Sequence, residues 1–179
     1  MVNSTMHAPD RDRTYASAAA SVRSSSRFTP AFRAIALAGL LAGSLDLATA
    51  FVEAGLEGRT PISLLQGIAG GLLGMETFQG GLGSAALGAF FHFLIAFTAA
   101  AVFYVASRQF KFLTKRPVLS GVLYGIAVFC FMSLVVLRLS AYHIKVTVPP
   151  FGPVIQGILV HIFMVGLPIS LVVRKFSSQ

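Results

Sequence analysis

The chain has 179 residues, of which 55% are hydrophobic and only 11% are charged, and its formal net charge is +8. A soluble domain of this size needs more polar surface than this composition supplies. The composition therefore excludes an ordinary soluble protein and predicts an all-α integral membrane protein.

Four long apolar stretches predict four membrane-spanning helices, at about 31–55, 84–106, 117–137 and 153–173. About 20 helical residues cross a hydrocarbon core of ~30 Å, so each stretch is long enough. Together they predict a single membrane domain at 31–175. Residues 1–30 are rich in Ser, Ala and Arg and lack apolar periodicity, which predicts a disordered basic cytoplasmic tail.

Two other interpretations of the N-terminal region are open. Its Arg and Ser content suits an organellar transit peptide, although Asp10 and Asp12 count against one. Ala48-Thr49-Ala50 has the small-x-small form of a signal-peptidase site, but Asp46 interrupts the apolar stretch before it.

The distribution of basic residues predicts the topology. Eleven of the 14 Lys and Arg lie on one side of the predicted spans: Arg11, Arg13, Arg23, Arg27, Arg33, Arg108, Lys111, Lys115, Arg116, Arg174 and Lys175. The positive-inside rule then places both termini in the cytoplasm, as expected of an inner-membrane protein. Orientation explains the net charge without a nucleic-acid partner, and the basic loop after the second span suits anionic lipid headgroups.

A short helix is predicted between the first two spans. Thr60 and Pro61 mark its start and Gly74 its stop. The resulting segment, 62–73, is too short to span and is expected to be interfacial or re-entrant. The glycine-rich stretch that follows imitates a dinucleotide-binding fingerprint at Gly81–Ala86, but no strand precedes it, so close helix packing is the better interpretation.

Small residues predict close contacts between spans. In the first span Gly39, Gly43, Asp46, Ala50 and Glu53 share one helix face. In the third span Gly121 and Gly125 repeat the same small-x-x-x-small spacing.

A faint internal repeat is also visible. Gly88-x-x-x-His92 in the second span is echoed by Gly157-x-x-x-His161 in the fourth, which would suit two parallel hairpins.

Three ionisable residues define the candidate intramembrane polar site. Asp46 is predicted ~20 Å from the cytoplasmic end of its span, and His92 and His161 each ~12 Å from the outer ends of theirs. Because titratable groups are costly in hydrocarbon, we expect Asp46, His92 and His161 to face the bundle interior. Glu53 and Arg138 reach the outer interface together and are predicted to form an ion pair.

Each of these residues also has a structural interpretation. Asp46 could accept a hydrogen bond from a neighbouring helix, and each histidine could bond to a backbone carbonyl across the bundle. The sequence contains no hydrolase or paired-cysteine motif, and we expect no catalytic residue and no metal, although Asp46 and the two histidines could make a three-ligand set. The lone Cys130 is expected to pack within the third span.

Several short motifs resemble those of the YagU-like family of small bacterial inner-membrane proteins. They are Gly88-x-x-x-His92, Ser120-Gly121-x-x-x-Gly125, Val148-Pro149-Pro150, and His161 ahead of Arg174-Lys175. The resemblance covers roughly residues 35–175, and the N-terminal tail and glycine-rich loop depart from it. It implies a four-span inner-membrane fold and brings no defined activity.

Three functions remain open from the sequence. The first choice is a structural or assembly subunit without catalytic activity, as a homo-oligomer or with other membrane subunits. The alternative is proton- or ion-linked transport or sensing through the Asp46, His92 and His161 layer, with movement at a kink near Pro168. The third is an electron carrier holding haem between His92 and His161, although no cofactor is expected.

Overall fold

The structure is a computed structural model that describes residues 30–142 and 151–177. In these residues α1 spans Pro30–Leu56, α2 Pro61–Leu73, α3 Gly81–Gln109, α4 Phe112–Lys115, α5 Pro117–Leu139 and α6 Phe151–Ser177. A 3-10 turn at Met75–Gln79 joins α2 to α3, and no strand occurs in the described ranges. The prediction of an all-α fold with four helices long and apolar enough to span a membrane is confirmed.

The four long helices, α1, α3, α5 and α6, contain the four predicted spans and extend beyond them. α3 begins at Gly81 and ends at Gln109, three residues outside the prediction at each end. The extra residues are Gly81 to Gly83 at the start of the helix and the polar Ser107, Arg108 and Gln109 at its end. The tail expected at 1–30 lies, apart from Pro30, outside the described residues, and so do Lys145 and the Val148-Pro149-Pro150 motif.

The predicted short helix is present as α2. The Thr60 side chain accepts a hydrogen bond from the Ser63 backbone N–H at 3.1 Å, and Pro61 occupies the first turn, where it needs no donor. The helix ends at Gly74, whose φ of 85° suits a residue without Cβ. The start and stop signals in the sequence were therefore correct.

Glycines let α2 pack closely against its neighbours. A Cβ on Gly88 of α3 would overlap the Leu65 carbonyl oxygen of α2. The segment after α5 also docks on α2, because the Ala141 N–H donates to the Gly71 carbonyl and the Tyr142 hydroxyl to the Gly67 carbonyl, both at 2.8 Å. Close packing accounts for Gly88, whereas the fingerprint glycines Gly81 and Gly83 have open space beside them and Gly81 has a φ of 57°.

The long helices pack in the spatial order α3, α1, α6, α5. Their common core consists of small and branched residues: Ala38 and Ala42 from α1, Ala100 and Phe103 from α3, and Val165, Ile169 and Val173 from α6. The predicted small-residue faces lie at two of these contacts. Gly43 of α1 faces Phe93 of α3, and Gly125 of α5 faces the Ile162 backbone of α6.

α5 and α6 each contain a turn of π-helix, at Met132–Val136 and His161–Gly166. In α6 the Leu167 N–H donates to the Ile162 carbonyl, five residues back. Pro168 follows directly and has no N–H to donate, which disfavours regular α-helical bonding at this point. The irregularity expected near Pro168 is therefore a π turn that begins at His161.

Candidate intramembrane site

Asp46, His92 and His161 line one small cavity inside the bundle, which we call the polar cavity. They come from α1, α3 and α6, and its volume is about 130 Å³. Each lies about ten residues, or ~15 Å, from the end of its helix on the α2 side of the bundle. The three residues therefore lie at a similar level along their helices, close to the middle, and their depth in a membrane stays a prediction.

His92 is held by a backbone carbonyl of another helix. Its Nε2 lies 2.8 Å from the carbonyl oxygen of Gly43 in α1, a glycine at which a Cβ would lie 3.0 Å from Phe93 and Ala96 of α3. Because a carbonyl oxygen only accepts, the ring N–H must be on Nε2. The edge of the ring also contacts Phe93, with the ring centroids 5.4 Å apart. This is the structural role considered for a membrane histidine, and it fixes the ring.

His161 is held by its own helix. Its Nδ1 lies 2.8 Å from the Gly157 carbonyl oxygen, so this ring carries its N–H on Nδ1. Phe129 of α5 packs against the ring at 72°, with the centroids 5.5 Å apart. His92 bonds to the Gly43 carbonyl instead of to Gly88, which lies four residues before it. The repeated Gly-x-x-x-His spacing therefore does not produce a repeated geometry.

The carboxylate of Asp46 has no hydrogen-bond donor among the residues that the structure describes. The expected bond to a neighbouring helix is thus not made within those ranges. Asp46 is half-buried and lines the same cavity as His92 and His161. A carboxylate at this depth is costly unless a proton, a cation or a hydrogen-bond donor satisfies it.

With both histidines neutral and Asp46 ionised, the cluster offers acceptors and no free donor. Each histidine has already committed its ring N–H to a carbonyl, which leaves Nδ1 of His92 and Nε2 of His161 with lone pairs. The ionised Asp46 adds two more acceptor oxygens. The polar cavity is therefore chemically suited to take up protons or a ligand that donates hydrogen bonds.

The described residues show no converging set of metal ligands, and the polar cavity is small. Within 30–142 and 151–177, no three His, Cys, Asp or Glu side chains converge closely enough to hold a metal ion. The polar cavity has room for a few water molecules, whereas pockets for larger ligands measure roughly 300–1,000 Å³.

Glu53 has a different partner from the one predicted. Its Oε1 accepts a hydrogen bond from Nε2 of Gln156 in α6 at 2.8 Å, and it forms no ion pair with Arg138 in the described part of the chain. A hydrophobicity pattern gives the depth of a residue but not the rotation of its helix, and rotation decides which side chains meet. Gln156 was missed for this reason.

No family model, no curated protein and no solved structure matches this chain. The likeness to the YagU-like family therefore stays a prediction from short motifs. What the chain does has to be argued from its own residues.

Proposed function

We propose that this chain is a four-span bacterial inner-membrane protein, with both termini in the cytoplasm, whose polar cavity binds and releases protons in linkage to transport or sensing. The observation that carries the proposal is the Asp46 carboxylate, which has no hydrogen-bond donor within 30–142 and 151–177 and lies in the same cavity as two histidines. Intramembrane acids without a structural partner mark proton and ion pathways.

The basic residues support the orientation. Arg33 is near the start of α1, Arg108 near the end of α3, Lys115 at the end of α4, and Arg174 and Lys175 near the end of α6. The alternating course of four spanning helices brings these ends to the same membrane face, where positive charge favours the cytoplasm. On this assignment α2 lies at the outer face. Its exposed Ile62, Leu72 and Leu73 suit an interfacial helix.

The two histidines each keep one ring nitrogen as a proton acceptor. The ring positions are fixed by the carbonyls of Gly43 and Gly157, which leaves the second nitrogen of each ring for the proton. The π turn that starts at His161 adds a segment with irregular hydrogen bonds, a common feature of functional sites in helices.

A structural or assembly subunit is the second candidate, and a specific observation favours it. Both histidines bond to backbone carbonyls, as they would if they served packing alone. Under this function Asp46 would complete its hydrogen bonding with a partner subunit. A transporter built from only four spans would also need an oligomer, so both candidates call for other copies or subunits.

Proton flux into liposomes separates the two candidates. We expect purified protein to carry protons down an imposed pH gradient and Asp46→Asn to abolish that flux while the variant still inserts and folds. Glu57→Gln is the matched control, because Glu57 lies in the loop before α2 and pairs with the exposed Arg59. Unchanged flux in Asp46→Asn, or no flux in the wild type above that of empty liposomes, would remove proton-linked transport.

A further inference from the structure

A second, larger space adjoins the polar cavity. This α3–α5 cleft has a volume of about 570 Å³, and its walls include Leu94, Thr98 and Val102 from α3 and Tyr124, Phe131 and Val136 from α5. The two helices meet at Tyr124, whose hydroxyl donates to the Ala99 carbonyl at 2.7 Å and whose ring contacts Phe103. Away from that contact the two helices are separated, and the cleft lies between them.

The lining of the cleft is suited to hydrocarbon. Its two hydroxyls are both satisfied, since Tyr124 bonds to Ala99 and Thr98 donates to the Leu94 carbonyl at 2.7 Å. The other lining side chains are apolar. From Tyr124 to Val136 the cleft follows α5 for ~18 Å, which is more than half of a ~30 Å hydrocarbon core. An alkyl chain lying along the spans therefore matches both the length and the chemistry.

The cleft and the polar cavity share part of their walls. Ile95 and Ala99 of α3, together with Val128 and Met132 of α5, line both spaces. These four apolar side chains form the shared wall, and the unbranched Met132 is the most adaptable of them. A molecule lying in the cleft can thus place one end beside Asp46, His92 and His161.

We propose that this space binds a single-chain membrane amphiphile, with its hydrocarbon tail in the α3–α5 cleft and a small hydrogen-bond-donating head, a hydroxyl or an ammonium group, in the polar cavity. This inference rests on the proposed function, because the head uses the same acceptor atoms as the proton. The molecule that the site handles is then a single-chain amphiphile.

The acceptor-only chemistry of the cavity selects the head. A hydroxyl or an ammonium group donates to Asp46 and to the free nitrogens of His92 and His161. An ionised carboxylate or a phosphate brings only acceptors and a second negative charge beside Asp46, which is repulsive at low dielectric. The cavity volume of about 130 Å³ also restricts the head to a small group.

Tryptophan fluorescence tests the proposal, because the chain has no native Trp. Phe131→Trp places a fluorophore in the cleft, and Phe163→Trp on α6 places one outside its lining; the two phenylalanines are 57% and 56% exposed. Each variant is reconstituted in phosphatidylcholine vesicles and quenched with a chain-brominated long-chain alcohol or amine. Quenching by brominated phosphatidylcholine gives each Trp its own reference for depth and access.

Each variant is normalised to its own quenching by brominated phosphatidylcholine. The brominated alcohol or amine should then half-quench the Phe131→Trp variant at about a tenfold lower mole fraction than the Phe163→Trp variant. The ionised brominated carboxylate should show no such preference, and Asp46→Asn should remove the preference for the amine. Equal quenching at both positions would overturn the proposal. If all the brominated amphiphiles, the carboxylate included, quench the Phe131→Trp variant preferentially, the claim that the polar cavity selects the head group would be overturned.

These results are separable from the proton experiment. Flux that depends on Asp46, together with equal quenching at the two positions, would leave proton linkage standing and remove the amphiphile. Head-selective quenching at 131 without any proton flux would remove proton transport and retain a lipid-binding site.

Discussion

A single methyl group added at Gly125 should weaken the contact between α5 and α6. A Cβ at this position would lie 2.6 Å from Cα of Ile162 and 2.7 Å from the carbonyl oxygen of His161. Both are backbone atoms of the π turn, so no side-chain rotation relieves the overlap. Overpacking of this kind costs ~1–3 kcal/mol, and the higher helix propensity of Ala recovers up to ~1 kcal/mol. Because the overlap is with main chain, we expect Gly125→Ala to lower the free energy of unfolding by about 1–2 kcal/mol.

The assay is unfolding of the purified protein in mixed micelles, followed by circular dichroism. Such a loss reduces the folded-to-unfolded ratio by a factor of roughly 5–30. Gly83→Ala in the first turn of α3 is the matched control, since no atom lies within 4 Å of the added Cβ. We expect that variant to be unchanged or slightly more stable. A Gly125→Ala protein as stable as the Gly83→Ala protein would refute the close approach of α5 and α6.

Further predictions concern α2. Gly88→Ala should lower the free energy of unfolding by at least ~1 kcal/mol, because its Cβ would overlap the Leu65 carbonyl; limited proteolysis between α2 and α3 should then become faster. Tyr142→Phe should cost ~0.5–1.5 kcal/mol through loss of the hydrogen bond to Gly67, measured by the same unfolding assay. Burial raises the pKa of Tyr142 above its ordinary value of 10.0, so its stabilising contribution should be full below pH 10 and lost as the pH rises through the higher folded-state value. A Tyr142→Phe protein with the same alkaline loss would contradict this.

Much of the fold followed from the sequence because hydrophobicity reports directly on membrane spans. The start and stop of α2 also followed, since Thr60, Pro61 and Gly74 act through local backbone chemistry. The 3-10 turn at Met75–Gln79 and the short helix α4 were not predicted, because no long apolar period marks them.

The candidate site was predicted only in part. Counting residues along each predicted helix placed Asp46, His92 and His161 at one level. The structure places all three around one cavity. A bond from a histidine to a backbone carbonyl across the bundle was among the expectations. Its partner depends on helix rotation, which short motifs do not determine, so Gly43 was not identified as the partner of His92. The sequence carries no signal for the α3–α5 cleft, because an apolar side chain that lines a cleft has the same sequence pattern as one that faces lipid.

The most direct test of the account is an infrared titration of the Asp46 carboxyl group in reconstituted protein. The chain has only six Asp and Glu residues, so a single carboxyl C=O band can be assigned by substitution. We predict a band that appears reversibly as Asp46 takes up a proton, is absent in Asp46→Asn and shifts in His92→Gln. A wild-type spectrum identical to that of Asp46→Asn at every pH would contradict the claim that this cavity binds protons.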